Sequence, residues 1–327
     1  MQEETGAWIP PGAADIALDR KLLKSLMRRS DRIALGRLCL CVSGLVLLGW
    51  LYARSFGTWA FWPMLFVFGG ASSLTFYSLS HECAHGTVFR SRWLNETAFW
   101  IASLLFGQEV LYRRYSHASH HTYTMFVGKD AQMPIIQPAG LLQYLLWYTG
   151  FFYHIQSLRQ LVSHSIGRFS ARALACTPAA ELGRVTRNSR LFLGIYLFAA
   201  GASIVLHSSV LLWFWLLPKL AGDPVMMTFA GSQHFEMKEN DRDLRTTTRS
   251  LRANRLIDLF YWNMSYHIEH HLYPTVPFHA LPRLNAAIRT HLPRPLSILG
   301  ATREIVRTWW ARVNEKPRTP GFVDTQP

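Results

Sequence analysis

Long apolar stretches separated by short polar segments dominate the chain and predict membrane-spanning helices. Residues 55–80 and 191–218 contain no Lys, Arg, Asp or Glu over 26 and 28 positions, and residues 33–53 form a third stretch with Arg37 near its start. About 20 apolar residues in a helix cross a hydrocarbon core of roughly 30 Å. We therefore expect four transmembrane helices in two hairpins, over residues 33–53, 56–80, 191–207 and 210–233.

The last of these predicted spans contains two charged residues, Lys219 and Asp223. A charge inside the hydrocarbon layer is unfavourable unless its side chain reaches the interface, pairs with another group or faces protein. Histidines on both sides of residues 191–233 can meet only if this block crosses the membrane an even number of times. The block therefore needs a second span that includes both charged residues, and we expect one of these solutions for them.

Two further apolar stretches are too short or too interrupted to be spans. Residues 97–112 predict an interfacial or re-entrant helix. Residues 131–158 contain Pro134 and Pro138 and predict a cap that lies on the membrane. The pattern as a whole predicts an all-α integral membrane protein, with a flexible lead at 1–18, one domain at 19–311 and a flexible tail at 312–327.

Composition and charge give the orientation. The formal net charge is +14, and many basic residues immediately precede the first span: Arg20, Lys21, Lys24, Arg28, Arg29 and Arg32. This asymmetry follows the positive-inside rule, so we interpret it as membrane orientation and contact with anionic lipids and not as nucleic-acid binding. The termini and the histidine clusters are then cytosolic, most simply at a bacterial inner membrane.

Histidines are the candidate chemistry of this chain, because eight of the 14 fall into three short clusters. The clusters are HECAH at 81–85, HASHH at 117–121 and HIEHH at 267–271. Positions i, i+3 and i+4 share one face of a helix. Each cluster can therefore direct two or three imidazoles at one point.

The number of imidazoles favours two iron ions over one zinc ion. A zinc site takes three or four protein ligands, whereas two irons with five or six ligands each can use eight or nine histidines. HECAH alone is typical of a zinc peptidase with Glu82 as general base, but two more clusters then have no role. A metal-binding membrane transporter is the other alternative, although its ligands belong within the spans and not beyond their ends.

The three clusters resemble the histidine boxes of the integral-membrane fatty acid desaturase superfamily. The resemblance rests on SHECAHGTVF, YSHASHHTYT and NMSYHIEHHLYPTVPFHALPRL, in this order, and covers roughly residues 20–300. The third motif is most similar to a bacterial branch that includes desaturases and small-molecule oxygenases. The resemblance implies four transmembrane helices, a cytosolic helical cap and a di-iron centre bound by histidines.

The resemblance also implies a set of site residues. The iron ligands are expected to be His81, His85, His117, His120, His121, His267, His270 and His271, with His234 of FAGSQHFEM as a ninth. Asp130 and Glu269 are candidates to accept hydrogen bonds from ligand imidazoles, although Glu269 can equally be solvated. Asn263 lies four residues before His267 and is expected to hold an iron-bound water or orient a ligand, or else to cap a helix.

The expected reaction is oxygen-dependent desaturation of a fatty acyl or acyl-like substrate, with hydroxylation on the same scaffold as the alternative. Two non-haem irons and O₂ carry out the oxidation. The cysteines, Cys39, Cys41, Cys83 and Cys176, have no iron–sulfur spacing, and the sequence contains no HPGG motif of a fused cytochrome b5. Electrons are therefore expected from a separate ferredoxin or cytochrome b5 type donor with its reductase.

Overall fold

The computed structural model describes residues 7–8, 16–133 and 138–314, and most of these residues are helical. The helices are α1 (Arg20–Leu26), α2 (Asp31–Arg54), α3 (Phe61–Ala84), α4 (Arg92–Phe106), α5 (Val110–Thr122), α6 (Leu141–Tyr148), α7 (Phe151–Ser165), α8 (Ala171–Cys176), α9 (Leu182–Val205), α10 (Leu217–Phe229), α11 (Leu244–Thr247), α12 (Arg255–Phe260), α13 (His267–Leu272), α14 (Leu281–Ile288) and α15 (Ile298–Asn314). The predicted all-α class is confirmed for the described residues.

Two short strand pairs accompany the helices. Strand β1 (Ala7–Trp8) pairs antiparallel with β2 (Leu18–Asp19), and β3 (Leu251–Arg252) pairs in parallel with β4 (Leu296–Ser297). Each strand has only two residues, so these pairs fix loops against the helices and do not form a sheet core.

Two helical segments are long and apolar enough to cross a membrane by length and composition, Asp31–Arg54 and Ala179–Val205. Apolar side chains on both are exposed on the outside of the protein, among them Leu40 and Val46 on α2 and Phe198 on α9. A large exposed apolar surface of this kind fits contact with lipid better than contact with water. The structure and the composition thus agree on membrane association.

The helices begin and end at different residues from those that hydropathy predicts. Helix α3 occupies Phe61–Ala84 and not 56–80, and α9 begins at Leu182 although the predicted span begins at 191. The first turns of α9 contain Arg184 and Arg187. Arginine is compatible with a helix, but the predicted span was limited to residues without charge and therefore begins after them. Hydropathy marks the part of a helix that suits the membrane, and the helix itself continues beyond it.

Helix α3 is the centre of the packing, with α2, α4 and α10 against it, whereas α9 packs mainly against α7. The backbones of α3 and α10 touch at two glycines. A Cβ atom on Gly222 would lie 2.1 Å from the Gly69 carbonyl group, and one on Gly69 would lie 2.1 Å from the Pro218 carbonyl oxygen. Only glycine allows this approach, which brings the C-terminal ends of α3 and α10 together.

Replacing Gly222 with alanine is expected to destabilise the protein by about 3 kcal/mol, because the new Cβ atom forces α3 and α10 apart. Gly194→Ala in α9 is the matched control, since no atom lies within 4 Å of the position that its new Cβ atom would take. This control should be neutral or stabilising by up to about 1 kcal/mol. Thermal unfolding of the detergent-solubilised protein measures both, and equal melting temperatures for the two variants would contradict the packing argument.

The two charged residues of the fourth predicted span are paired inside the protein. The carboxylate of Asp223 is fully buried, accepts a hydrogen bond from Ser73 Oγ of α3 at 2.9 Å and lies 3.3 Å from Lys219 Nζ. His154 of α7 contacts the same carboxylate. The charge therefore faces protein partners and connects three helices.

Two interfacial predictions need correction in detail. The stretch 97–112, expected as one helix, is divided between α4 and α5 because Gly107 takes a left-handed conformation with φ of 96° and ends α4. In the stretch 131–158, Gly150, with φ of 76°, separates α6 from α7, while residues 134–137 lie outside the described residues.

The ends of the predicted domain also differ from the prediction. Ile16 and Leu18, placed in a flexible lead, are buried, because they pack in one core with residues of α13 and α14. At the other end α15 continues to Asn314, and Arg312 pairs with Glu236. The rest of the lead, apart from β1, and the tail from residue 315 onward lie outside the described residues.

Candidate metal centre

Nine histidines converge on one region at the ends of α3, α5 and α10 and on α13. They come from all three clusters and from the segment after α10, and they are buried or half-buried: His81, His85, His117, His120, His121, His234, His267, His270 and His271. They form two neighbouring groups. The ring of His121 in one group stacks on the ring of His271 in the other, with centroids 4.2 Å apart.

The first group contains five histidines whose potential ligand atoms all lie within 4.8 Å of one another: His81, His85, His117, His121 and His270. His117 Nε2 lies 2.9 Å from His85 Nε2 and 3.2 Å from His121 Nε2. The rings of His85 and His270 are 4.8 Å apart between centroids. Five imidazoles from three separate chain segments thus surround one point.

The second group contains His120, His234 and His271, whose ligand atoms satisfy the same 4.8 Å criterion. His267 joins them, because its Nε2 atom lies 2.9 Å from His234 Nε2 and 3.2 Å from His271 Nε2. The distance between the Nε2 atoms of His120 and His234 is 3.3 Å. His234 is therefore brought to the site by the 3₁₀ turn that follows α10.

The donor set fits two transition-metal ions. Neighbouring ligands on an ion with metal–nitrogen bonds of about 2.1 Å are roughly 3 Å apart in octahedral geometry, which is the spacing of the close Nε2 pairs. His270 Nε2 is buried and has no hydrogen-bond partner among the described residues, as expected for an atom reserved for a ligand. Imidazole nitrogen suits iron, so two irons fit the two groups.

The imidazoles are in the form that binds metal. Burial, followed by the neighbouring histidines, holds the pKa of His117 and His121 well below the ordinary value. Burial likewise lowers the pKa of His85 and His234, each to about 3. The rings are therefore uncharged near neutral pH, and a lone pair on each is available to a metal ion.

Several groups around the histidines fix the orientation of the rings. His120 Nδ1 lies 2.8 Å from Asp130 Oδ2, and His117 Nδ1 lies 3.1 Å from Gln132 Oε1. His234 Nδ1 lies 3.0 Å from the Thr247 carbonyl oxygen. Because each of these oxygens accepts a hydrogen bond, the Nδ1 atoms carry the protons and the Nε2 atoms face the centre.

Asp130 is itself held by the backbone. Its carboxylate accepts hydrogen bonds from the N–H groups of Met125 and Gln132 at 2.9 and 2.8 Å. Burial alone would raise the pKa of Asp130, but His120 and these hydrogen bonds lower it. The carboxylate is therefore ionised, and it orients His120 from a fixed position.

The predictions for Asn263 and Glu269 were wrong. Asn263 has a left-handed backbone, with φ of 57°, outside any helix, and its side-chain amide donates to the Phe278 carbonyl oxygen at 2.9 Å. It neither shares a helix with His267 nor caps α13. Glu269 is buried and accepts hydrogen bonds from Ser250 and Asn285, so it anchors the opposite face of α13 and touches no imidazole of the centre.

The carboxyl group of Glu82 lies beside two of the ligand histidines. This contact was not predicted from the sequence. The Oε1 atom of Glu82 lies 3.3 Å from His81 Nδ1 and 3.4 Å from His270 Nδ1, and its side chain is fully buried. The HECAH motif offers the signal, because Glu82 lies inside it. The motif alone suggests the base of a peptidase, whereas the place of Glu82 behind two rings suits a group that orients them.

A cavity of about 830 Å³ opens onto both groups of histidines. His81 and His117 of the first group and His120, His234 and His267 of the second line it. Apolar and aromatic side chains, including Phe106, Trp147 and Met226, form much of the wall. The volume matches the range of about 300–1,000 Å³ found for small-molecule sites, so the cavity can hold an aliphatic substrate next to the centre.

Comparisons with known proteins agree with this site. The chain is 25 % identical over 230 residues to the Delta(5) fatty acid desaturase fat-4 of Caenorhabditis elegans, covering 62 % of this chain and 52 % of that protein. It is 21 % identical to the chloroplastic omega-6 fatty acid desaturase of Spinacia oleracea, covering 94 % of this chain and 71 % of that protein. It is 26 % identical to the dihydrorhizobitoxine desaturase of Bradyrhizobium elkanii, covering 68 % and 66 %.

The chain thus spans about half the length of the nematode relative and about two thirds of the bacterial one. The model of the fatty acid desaturase family matches residues 57–299, a segment that includes all nine histidines. Because this match extends over well more than half of the sequence, the chain belongs to the fatty acid desaturase family, a family of oxidoreductases.

Proposed function

We propose that this protein is an integral-membrane, oxygen-dependent desaturase whose nine histidines hold two irons and whose substrate is a fatty acyl or acyl-like chain. The observation that carries the proposal is the arrangement of these histidines in two adjacent groups beside one cavity. Membership of the desaturase family supplies the reaction class.

The proposed topology has four transmembrane segments, formed by α2, α3, α9 and α10 with the π-helical turn Leu212–Leu216 before it. Helices α3 and α10 face protein at buried residues such as Gly69, Ser73 and Asp223, which fits spans that lie inside the bundle. The C-terminal ends of α3 and α10 both lead into the histidines, which supports an even number of crossings between them. Basic residues of α1 favour the cytosolic side of a bacterial inner membrane for this face.

The balanced reaction removes two hydrogens from neighbouring methylene groups. One O₂, two electrons and two protons are consumed, and the products are one carbon–carbon double bond and two waters. When bound, the irons supply the activation of O₂. The chain's own residues hold the rings through Asp130 and Gln132, exclude bulk water and align the substrate in the cavity.

The electrons are proposed to come from a ferredoxin or cytochrome b5 type donor with its reductase. The four cysteines are free, and Cys39 and Cys41 lie in α2, away from the other two along the chain. Four thiolates are the usual ligands of an iron–sulfur cluster. An external donor is therefore the simplest source.

The experiment is expression of the full chain in a bacterial host, followed by mass spectrometry of lipids and small metabolites and by metal analysis of the purified protein. A product two hydrogens lighter than its precursor, together with about two irons per chain, is expected. A product one oxygen heavier would replace desaturation by hydroxylation. Iron binding without uptake of O₂ in the presence of reductant would favour the metal-transporter alternative and overturn the proposal.

A further inference from the structure

The cavity beside the metal centre contains a buried arginine that the chemistry described so far does not use. Arg113 lies in the first turn of α5, is only 4 % exposed and lines the cavity. Its Nε atom and one of its terminal nitrogens are buried and have no hydrogen-bond partner among the described residues. These two nitrogens carry three of the five N–H donors of a guanidinium group.

Within the part of the chain that the structure describes, the surroundings of Arg113 offer no counter-charge. The nearby carboxylate of Glu109 is already used, since it accepts from the N–H groups of Leu111 and Tyr112 and from Asn188. No carboxylate of the described residues lies within ion-pair distance of Arg113. Its guanidinium instead lies over the ring of Tyr77, 5.5 Å from the ring centre.

An unpaired buried cation is unfavourable, because it has lost water without gaining a partner of opposite charge. The metal centre does not relieve it. Neutral imidazoles bring no negative charge, so bound iron makes this side of the cavity still more positive. Polar atoms left unpaired on a cavity wall indicate a polar group of a ligand.

We propose that the substrate carries a free carboxylate and that Arg113 binds it. This inference rests on the proposed function and narrows its substrate class to aliphatic acids that are not esterified. A carboxylate accepts two parallel hydrogen bonds from a guanidinium, and Nε with one terminal nitrogen forms such a pair of donors. An ester or thioester would leave the charge of Arg113 uncompensated.

The position of Arg113 also places the bound carboxylate in the same cavity as the metal centre. Arg113 and His117 are four residues apart on α5 and therefore share one helix face, and both line the cavity. An acid held by Arg113 thus has its aliphatic chain beside the histidines.

The test uses the iron-loaded, detergent-solubilised full chain and a series of straight-chain acids from butyrate to decanoate, each compared with its methyl ester. Binding is followed by calorimetry and by the optical spectrum of the iron centre. Acids should bind more tightly than their esters. Arg113→Gln should weaken the binding of the acids by about 10- to 100-fold and leave the esters unchanged, because only the charged hydrogen bonds are lost.

Arg303→Gln is the matched control, since Arg303 is exposed on α15 and does not line the cavity. It should change the binding of the acids less than about 2-fold. Equal binding of acids and esters to the unaltered protein would overturn the inference, and this comparison does not depend on whether any variant folds. Inorganic phosphate is tested in the same way. Binding of phosphate without binding of the acids would also overturn the inference, in favour of a phosphate ligand.

The two proposals can fail separately. A chain that holds no iron and forms no double bond contradicts the proposed function. A chain that holds iron and desaturates cellular lipids, but does not distinguish acids from esters, contradicts only the assignment of Arg113.

Discussion

Replacing His270 with alanine should remove iron from the first group of histidines and reduce the rate of desaturation by at least about 100-fold. The ring of His270 is completely buried, and its Nε2 atom has no hydrogen-bond partner among the described residues, so binding a metal is the role that its surroundings leave for it. Loss of a ligand has a larger effect than loss of a group that orients a ligand, and the latter already costs about 10- to 100-fold.

Metal analysis by mass spectrometry and product formation in membranes measure the two effects of this substitution. His207→Asn is the control, because His207 is an exposed histidine in the turn after α9 with φ of 47°, a conformation that asparagine tolerates. The control should keep both irons. If His270→Ala keeps two irons per chain and full activity, the nine-histidine centre is refuted.

The same variant separates the two metal assignments that the sequence left open. A zinc peptidase built on HECAH has no need for a histidine from the third cluster. The structure places His270 4.8 Å from both His81 and His85 between ring centroids, so all three belong to one group. Loss of metal from His270→Ala therefore excludes a peptidase site made of His81, His85 and Glu82 alone.

The grouping of the histidines within each cluster could be predicted from local spacing, whereas the meeting of the three clusters was implied by the family resemblance. Residues at i, i+3 and i+4 share a helix face whatever the rest of the fold does, and His267, His270 and His271 occupy such a face of α13. The same rule puts Glu269 on the opposite face, where it contacts Ser250 and Asn285. The spacing that groups the three histidines on one face therefore also excludes Glu269 from that face.

The prediction for Asn263 is wrong for a different physical reason. Sharing a face with His267 requires a helix that extends four residues upstream, but α13 begins at His267 because Trp262 and Asn263 adopt positive φ values of 50° and 57°. No glycine or proline marks this break. Trp262 and Asn263 are both residue types that more often adopt negative φ. Tertiary packing decides the boundary here, and local sequence does not reveal it.

Packing between helices and the roles of Glu82 and Arg113 depend on contacts between distant parts of the chain. Helix α10 packs on α3 through Gly69 and Gly222, which are about 150 positions apart. Hydropathy predicts that helices exist, but it does not state which helices touch. Likewise, Arg113 becomes informative only once the carboxylates in the described part of the chain are seen to lie elsewhere or to be already bound.

Replacing Asp130 with asparagine should lower the iron affinity of the second group by about 10- to 100-fold, with a similar loss of activity. The Asp130 carboxylate accepts hydrogen bonds from His120 Nδ1 at 2.8 Å and from two backbone N–H groups. Three donors therefore face its two oxygens. An asparagine side chain has only one oxygen acceptor, and its NH₂ group would face one of these three donors. Either His120 or the loop at residues 125–132 must then move.

The measurement is an iron titration of the metal-free protein, with the first and second equivalents resolved. Because Asp130 contacts only the second group, the first equivalent should bind as tightly as in the unaltered protein. Asp241→Asn serves as the control, since Asp241 pairs with Lys238 on the surface. Equal weakening of both equivalents would mean that Asp130 supports the fold of the whole centre and does not act through His120, whereas an unchanged second equivalent would remove Asp130 from the site.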